Sequence, residues 1–473
     1  DVSAQDLTQT IRGKIIDTDS KSPIAFANII VVGTEPLLGA TSDIDGYFRI
    51  EAVPVGRATI KVSYMGYEEK IIPNLVIISG KETVLDIELK ESFETLNEVT
   101  ISSKQHKSEL NNEMAQVSSK GLSVEESKRY AGGIGDPARL VSSFAGVGST
   151  GDGNNDIIVR GNNPRFIQWK LEGTEIPNPN HFSQEGLTGG PISALNSQML
   201  ANSEFYTGAF APEYGNALSG IFDMKLRKGN SEKREHSFTI SVLGTDVTTE
   251  GPFKKGGKSS YLFNYRYSTL GLISRLGILD FGGVPDYQDL SFKIFLPTNK
   301  AGTFSIFGLG GLNNINTQLY DLDNQDLVIE EYQQKGQLGI VGIRHLINLN
   351  KKMYINSTIS HSINGSENRS LRTFDSSTLQ NDLSANTNNT ISRLNTRLNY
   401  KYNNRHIFQL GIVSSHFKFN FESKYFNSAT QQFIQNLDMV GTANLHQSFV
   451  TWKWRATEKL SFVTGVHSQK TSQ

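Results

Sequence analysis

The chain has 473 residues, a net charge of −1 and no cysteine. Near-neutrality provides no field that would gather nucleic acid, and the absence of thiols excludes disulfides, thiolate nucleophiles and cysteine-held zinc. No run of about 18 apolar residues occurs, which excludes a membrane-spanning helix but not a membrane β-barrel, whose strands alternate and average out as polar; the mean hydropathy is −0.34.

Residues 1–9 read as a mature N-terminus or signal-peptide remnant, because Val2-Ser3-Ala4 before Gln5 has the small-residue character of a cleavage site. Residues 10–91 hold six or seven short alternating segments, with Asp45-Gly46 as a turn signal. Strands at spacings of about 8–12 residues predict a β-sandwich. Residues 92–120 are a polar linker carrying one extended, β-branched peptide, Leu96, Asn97, Glu98, Val99, Thr100, Ile101 and Ser102. Residues 121–230 are mixed. Helices are expected over 123–129, with Ser123 as N-cap and Glu126 three positions on, over 136–143, with Asp136 as N-cap and Pro137 at the first helical position, and over 192–200. Strands are expected over 157–160, 167–171, 205–207 and 220–227.

Residues 231–473 change style. About ten long alternating segments run through 236–250, 260–272, 287–296, 302–312, 334–348, 353–366, 392–402, 407–422, 447–455 and 460–468. Most exceed the usual strand of about 5–6 residues. Tyr261, Tyr265, Tyr267, Trp452 and Trp454 sit near segment ends, as aromatic girdles do in membrane barrels. A soluble β-helix or propeller would need a repeat of about 40–50 residues, and none is visible. The C-terminus, after one more strand-like segment, reads as a cut edge of the barrel.

Enzyme chemistry finds no footing. Thr41–Gly46 echoes a calcium loop, but Ala52 stands where the bidentate glutamate belongs. Asp152, Asn154 and Asp156 alternate like metal ligands with nothing to complete a shell. The nine histidines include no His-Glu-x-x-His pair, and neither a nucleophile elbow nor a phosphate loop occurs. No catalytic residue, metal or cofactor is assigned, and no nucleic-acid partner.

The order of sandwich, extended peptide, mixed α/β domain and long strands resembles TonB-dependent outer-membrane receptors of the Bacteroidetes type, whose N-terminal extension is similar to a carboxypeptidase regulatory domain. The extension matches at 13–17, 23–28, 41–48 and Tyr64-Met65-Gly66-Tyr67, and the plug at 157–161, Leu171-Glu172-Gly173 and 214–220. The resemblance implies a mainly β fold: an N-terminal Greek-key β-sandwich, a mixed α/β plug domain, and part of a 22-stranded antiparallel transmembrane β-barrel. It implies that residues 96–102 are the TonB box, gripped by a periplasmic energy transducer through strand addition. It makes Arg160, Gly161, Glu172, Gly173, Tyr214, Gly215 and Gly220 plug framework. Arg160 would be a buried or barrel-facing cation pairing with barrel carboxylates, and Gly215 and Gly220 tight turns at the wall. Substrate would meet loops carrying Asp152, Asn154, Asn155, Asp156, Asn178, Asn180, His181 and Phe182. The implied function is plug-gated import of a scarce substrate across the outer membrane, with outer-membrane lipid and a surface lipoprotein as further partners and the sandwich in the periplasm. The competing readings are a non-transporting surface or assembly protein that keeps this fold, and a soluble enzyme with a carboxypeptidase-like accessory domain.

Overall fold

The computed structural model describes residues 7–92, 118–122, 136–151, 154–183, 189–241, 244–277, 283–321, 323–324, 326–375, 378–457 and 460–472. The peptide at 96–102, Asp152 and the helix expected over 123–129 lie outside the described residues.

Seven strands build the sandwich: β1 (Thr8–Asp17), β2 (Asn28–Val32), β3 (Gly39–Thr41), β4 (Tyr47–Pro54), β5 (Gly56–Ser63), β6 (Lys70–Ile77) and β7 (Thr83–Leu89). They form two sheets, ordered β4-β1-β7 and β3-β2-β5-β6. Strand alternation sends Ile11, Ile15, Ile29, Ile60 and Ile87 into the shared core. In the turn before β4, the Asp43 carboxylate accepts the backbone N–H groups of Asp45 at 2.9 Å and Tyr47 at 2.7 Å. The residues that echo a calcium loop are thus a hairpin turn closed by its own side chain.

The next globule has a five-stranded sheet, ordered β12-β11-β16-β15-β8. Its strands are β8 (Ser119–Leu122), β11 (Ile167–Leu171), β12 (Thr174–Ile176), β15 (Ser203–Tyr206) and β16 (Gly220–Met224), with the short pairs β9 (Val147–Gly148) to β10 (Ile158–Val159) and β13 (Asn180–His181) to β14 (Ile192–Ser193) beside it. Trp169 stacks on Phe222 at 5.3 Å in the core. Helix α1 (Pro137–Val141) starts where expected, because the Asp136 carboxylate accepts the Ala138 N–H at 2.9 Å. The helix expected over 192–200 does not form. Ile192 and Ser193 pair with β13, and the Asn196 side chain accepts the Gln198 N–H at 2.9 Å, closing a turn in competition with helix.

Eleven antiparallel strands then follow in sequence order: β17 (Glu235–Ile240), β18 (Gly244–Pro252), β19 (Ser260–Ser268), β20 (Asp286–Pro297), β21 (Thr303–Tyr320), β22 (Val328–Asn350), β23 (Met353–Asp375), β24 (Thr378–Lys401), β25 (His406–Asn427), β26 (Gln432–Arg455) and β27 (Ser461–Ser472). The count exceeds the expected ten because a short strand precedes the turn at 241–244. The segment expected over 260–272 also breaks: the Ser268 hydroxyl accepts the Gly271 N–H at 3.0 Å and starts helix α2 (Thr269–Arg275). Laid flat, eleven strands would span about 50 Å. Yet the one small globule reaches both edges, with Gln198 donating to Thr239 on β17 at 3.1 Å and the Pro212 carbonyl 2.7 Å from His467 on β27. The sheet therefore curls around it.

The polarity of this wall is that of a membrane barrel. On β25 the outward Phe408, Leu410 and Ile412 are exposed while Gln409 is buried; on β26 the outward Val450, Trp452 and Trp454 are exposed while Thr451, Lys453 and Arg455 are buried. Greasy side chains face out and polar ones face in. Beyond Ile412 the outward row of β25 turns polar, at Ser414, His416 and Lys418. The apolar part of the long strands occupies roughly the ten residues nearest the short turns at 351–352, 402–405 and 456–460, which matches the 9–11 residues a tilted strand needs to cross the hydrocarbon. Trp452, Trp454, Phe408 and Phe462 stack in a row at its rim, with ring centroids 5.5–6.3 Å apart. The sandwich docks at that same end, where Lys401 contacts Asp17 at 2.6 Å and Arg455 contacts Asp19 at 3.1 Å.

Candidate functional site

The contact between globule and wall is built from buried ion pairs. Leu171-Glu172-Gly173-Thr174 is a two-residue hairpin turn with φ of +52° at Glu172 and +83° at Gly173, the signature of a type I′ turn. A non-glycine residue gives up about 1 kcal/mol or more in that region. Here the conformation delivers the carboxylate to the wall. Glu172 is fully buried and accepts from Lys293 Nζ on β20 at 2.7 Å, Arg344 on β22 at 3.1 Å and the Leu226 N–H at 2.8 Å. Burial opposes its ionisation, but the two cations overcome this and hold its carboxyl down at about 2. Beside it, Thr174 shares a 3.0 Å hydrogen bond with Ser360 on β23.

The same polarity recurs. Glu213 pairs with Arg397 on β24, and Glu175 contacts Arg393 of that strand at 3.2 Å. Two contacts run the other way. Arg227 engages Glu250 on β18 at 2.7 Å, and His181 meets Asp289 on β20 at 3.2 Å, with Arg266 of β19 on the same carboxylate oxygen at 2.6 Å. Burial pushes the His181 imidazole below its ordinary value.

The sequence-named residues divide clearly. Arg160 is a correction. It is exposed at the end of a two-residue strand, and its guanidinium is not a buried partner of barrel carboxylates; the globule mainly presents acids, and the wall supplies the bases. Gly161 follows it with φ of +76°. Tyr214 is buried against Tyr206, with its hydroxyl 3.3 Å from Asp223. Gly215 does lie at the wall: a Cβ there would come within 2.5 Å of both Gln447 and His467. Gly220 does not, since it opens β16 inside the core against Ile167, Val159 and Phe205. Of the expected substrate loops, Asn155, Asp156, Asn180 and His181 are buried. Asn155 ties Asp136 and Asn180 together, each at 2.7 Å, and Asp156 accepts from Thr150 at 2.9 Å and Asn154 at 2.8 Å, so these residues brace the loops. His181 is a strut to the wall.

Asn178, Asn180 and Phe182 instead border a cavity of about 470 Å³ between the globule and strands β21–β25. It lies on the far side of the apolar band from the sandwich, and Asn313, Gln334, Asn364, Asn389 and Phe417 complete its wall. These barrel residues escape a linear reading, because which strands face one another across a lumen depends on closure. The available signal is the asparagine richness of 313–316 and 386–389.

A polar-lined, grease-coated strand wall wrapped around a charged α/β globule defines the class: the chain has the fold of TonB-dependent outer-membrane receptors. It is similar to the copper transporter OprC, with a TM-score of 0.52 and 10% identity over 76% of this chain and 55% of that one. It is also similar to FpvA of P. aeruginosa, solved with bound pyoverdine, with a TM-score of 0.50 and 12% identity over 71% of this chain and 50% of that one. In sequence, residues 11–101 match the CarboxypepD_reg-like domain. A stretch of 265 residues is 22% identical to the TonB-dependent transporter Oar of Myxococcus xanthus, covering 53% of this chain and 23% of that protein. The aligned stretch is thus less than a quarter of the curated relative's length.

Proposed function

We propose that the chain is the plug-bearing part of an energised importer of the outer membrane, with the sandwich on the periplasmic side. The observation that carries this reading is the buried ionic seam around Glu172. A plug meant only to fill a barrel would be served as well by apolar packing, because exchanging a buried ion pair for well-packed hydrophobic side chains is often neutral or stabilising. A charged, hydrogen-bonded seam is discrete and can be parted and re-made when force is applied. In this reading a TonB-type transducer pairs with residues 96–102 and pulls; backbone hydrogen bonds of an added strand bear load with little dependence on side chains. Substrate enters from the side of the 470 Å³ cavity, and the plug rearranges along its polar contacts with the wall. The test is deletion of residues 96–102 in the whole receptor. Substrate binding at the cell surface should persist and uptake should vanish; undiminished uptake would overturn the reading.

A further inference from the structure

We propose that the cavity between plug and wall takes a neutral, hydroxyl-rich oligomer, a saccharide chain. This rests on the import reading and names the substrate class of that site. At about 470 Å³ the cavity has the size of a ligand site, for which roughly 300–1,000 Å³ is usual. Eight of its 23 lining residues are Asn or Gln, contributed by both plug and wall. A side-chain carboxamide offers a donor pair and an acceptor at fixed spacing, which suits neighbouring hydroxyl groups that each donate and accept. Three polar atoms of its lining residues, Gln168 Oε1, Trp169 Nε1 and Asn313 Oδ1, are buried and have no hydrogen-bond partner, on side chains at most 8% exposed. Buried polar groups left so cost free energy that a polar ligand would recover.

Charge selects against the alternatives. Only Arg165 and Glu175 carry charge in the lining, one of each sign. Arg165 is exposed and lies over the Phe166 ring at 4.8 Å, and Glu175 contacts Arg393. An anionic metal chelate would be desolvated here without a matching cluster of cations. An extended peptide would seek unpaired backbone groups, but β21–β25 spend theirs on one another through continuous ladders. Aromatic faces complete the match. Phe417 borders the cavity, and Phe419 and Phe421 follow on the same inward side of β25, their rings 5.9 Å apart and nearly parallel. A row of flat apolar rings leading outward from a carboxamide-rich pocket suits the apolar ring faces and polar rims of successive sugars.

The experiment is calorimetric titration of the whole receptor in detergent with linear neutral gluco-, xylo- and fructo-oligosaccharides, against a ferric catecholate and a mixed peptide panel. Saturable binding of at least one saccharide series is expected, weakened about tenfold by Asn364→Ala and by Phe417→Leu. His416→Ala, on the outward side of β25, should leave it unchanged. Heat-shifted gel mobility verifies that each variant folds. Silence of every saccharide series, binding of the chelate or peptides in their place, or indifference to both inward substitutions would overturn the proposal. Binding requires no energy transduction, so these outcomes are separate from the uptake result of the 96–102 deletion. Saccharide binding with unaltered uptake would sink the import reading alone, and import of a non-saccharide would sink this one alone.

Discussion

Glu172 shows how much one residue does here. Its positive φ, its complete burial and its contacts with Lys293, Arg344 and the Leu226 N–H make it the fixed point of the plug against β20 and β22. Replacing it by Gln leaves two cations facing a neutral amide. Breaking one side of a buried pair costs about 3–5 kcal/mol, so Glu172→Gln should lower the plug's unfolding midpoint in denaturant. Adding Lys293→Met should recover part of the loss, whereas additive losses in that double-mutant cycle would refute the coupling. The pH dependence follows from the depressed carboxyl, at about 2 against an ordinary 4.5. A lowered folded-state value means a contribution complete above about pH 4.5 and lost as pH falls through about 2. Plug unfolding followed by tryptophan fluorescence should therefore show this acid loss in the native receptor and not in Glu172→Gln. The Leu171-Glu172-Gly173 turn was legible in the sequence; its partners were not, since nothing local says which strand will face it. The misreading of Arg160 has the same root: a cation after a buried valine suggests an inward pair, but its strand ends at the surface.

At the scale of elements, the wall is set by alternation, and the outward rows carry the test. Ile359 on β23 is 64% exposed and lies in register between Ile343 on β22 and Leu394 on β24. In water an arginine there would be nearly neutral. Near the middle of a bilayer it should cost about 2–4 kcal/mol, measurable as a shift in the folding equilibrium into phospholipid vesicles; no shift would place this row outside the hydrocarbon. The strands were readable in the sequence because a period of two survives over 20 residues. Their ends were less so: the segment beginning at 260 looked continuous to 272, but Ser268 caps a helix. The expected helix at 192–200 failed for the converse reason, since Asn196 offered the backbone a turn. The cavity wall was hidden, because its members come from five strands and two plug loops that only closure brings together.

At the scale of the molecule, three units form a line. The sandwich is tied to the short-turn end of the wall by Asp17 to Lys401 and Asp19 to Arg455. Burial opposes ionisation of Asp17, but the Lys401 ammonium holds its carboxyl below the usual range. The plug fills the middle, and the amide-lined cavity opens beyond it. This order makes transport a matter of parting plug from wall, and the chain offers a direct way to prevent that parting. It contains no cysteine, and Thr174 and Ser360 stand with hydroxyl oxygens 3.0 Å apart across the seam. Thr174→Cys with Ser360→Cys should therefore form one disulfide between plug and β23. With the bond formed, the account predicts surface binding of substrate without uptake, and recovery of uptake on reduction; full uptake through a completely cross-linked receptor would contradict it.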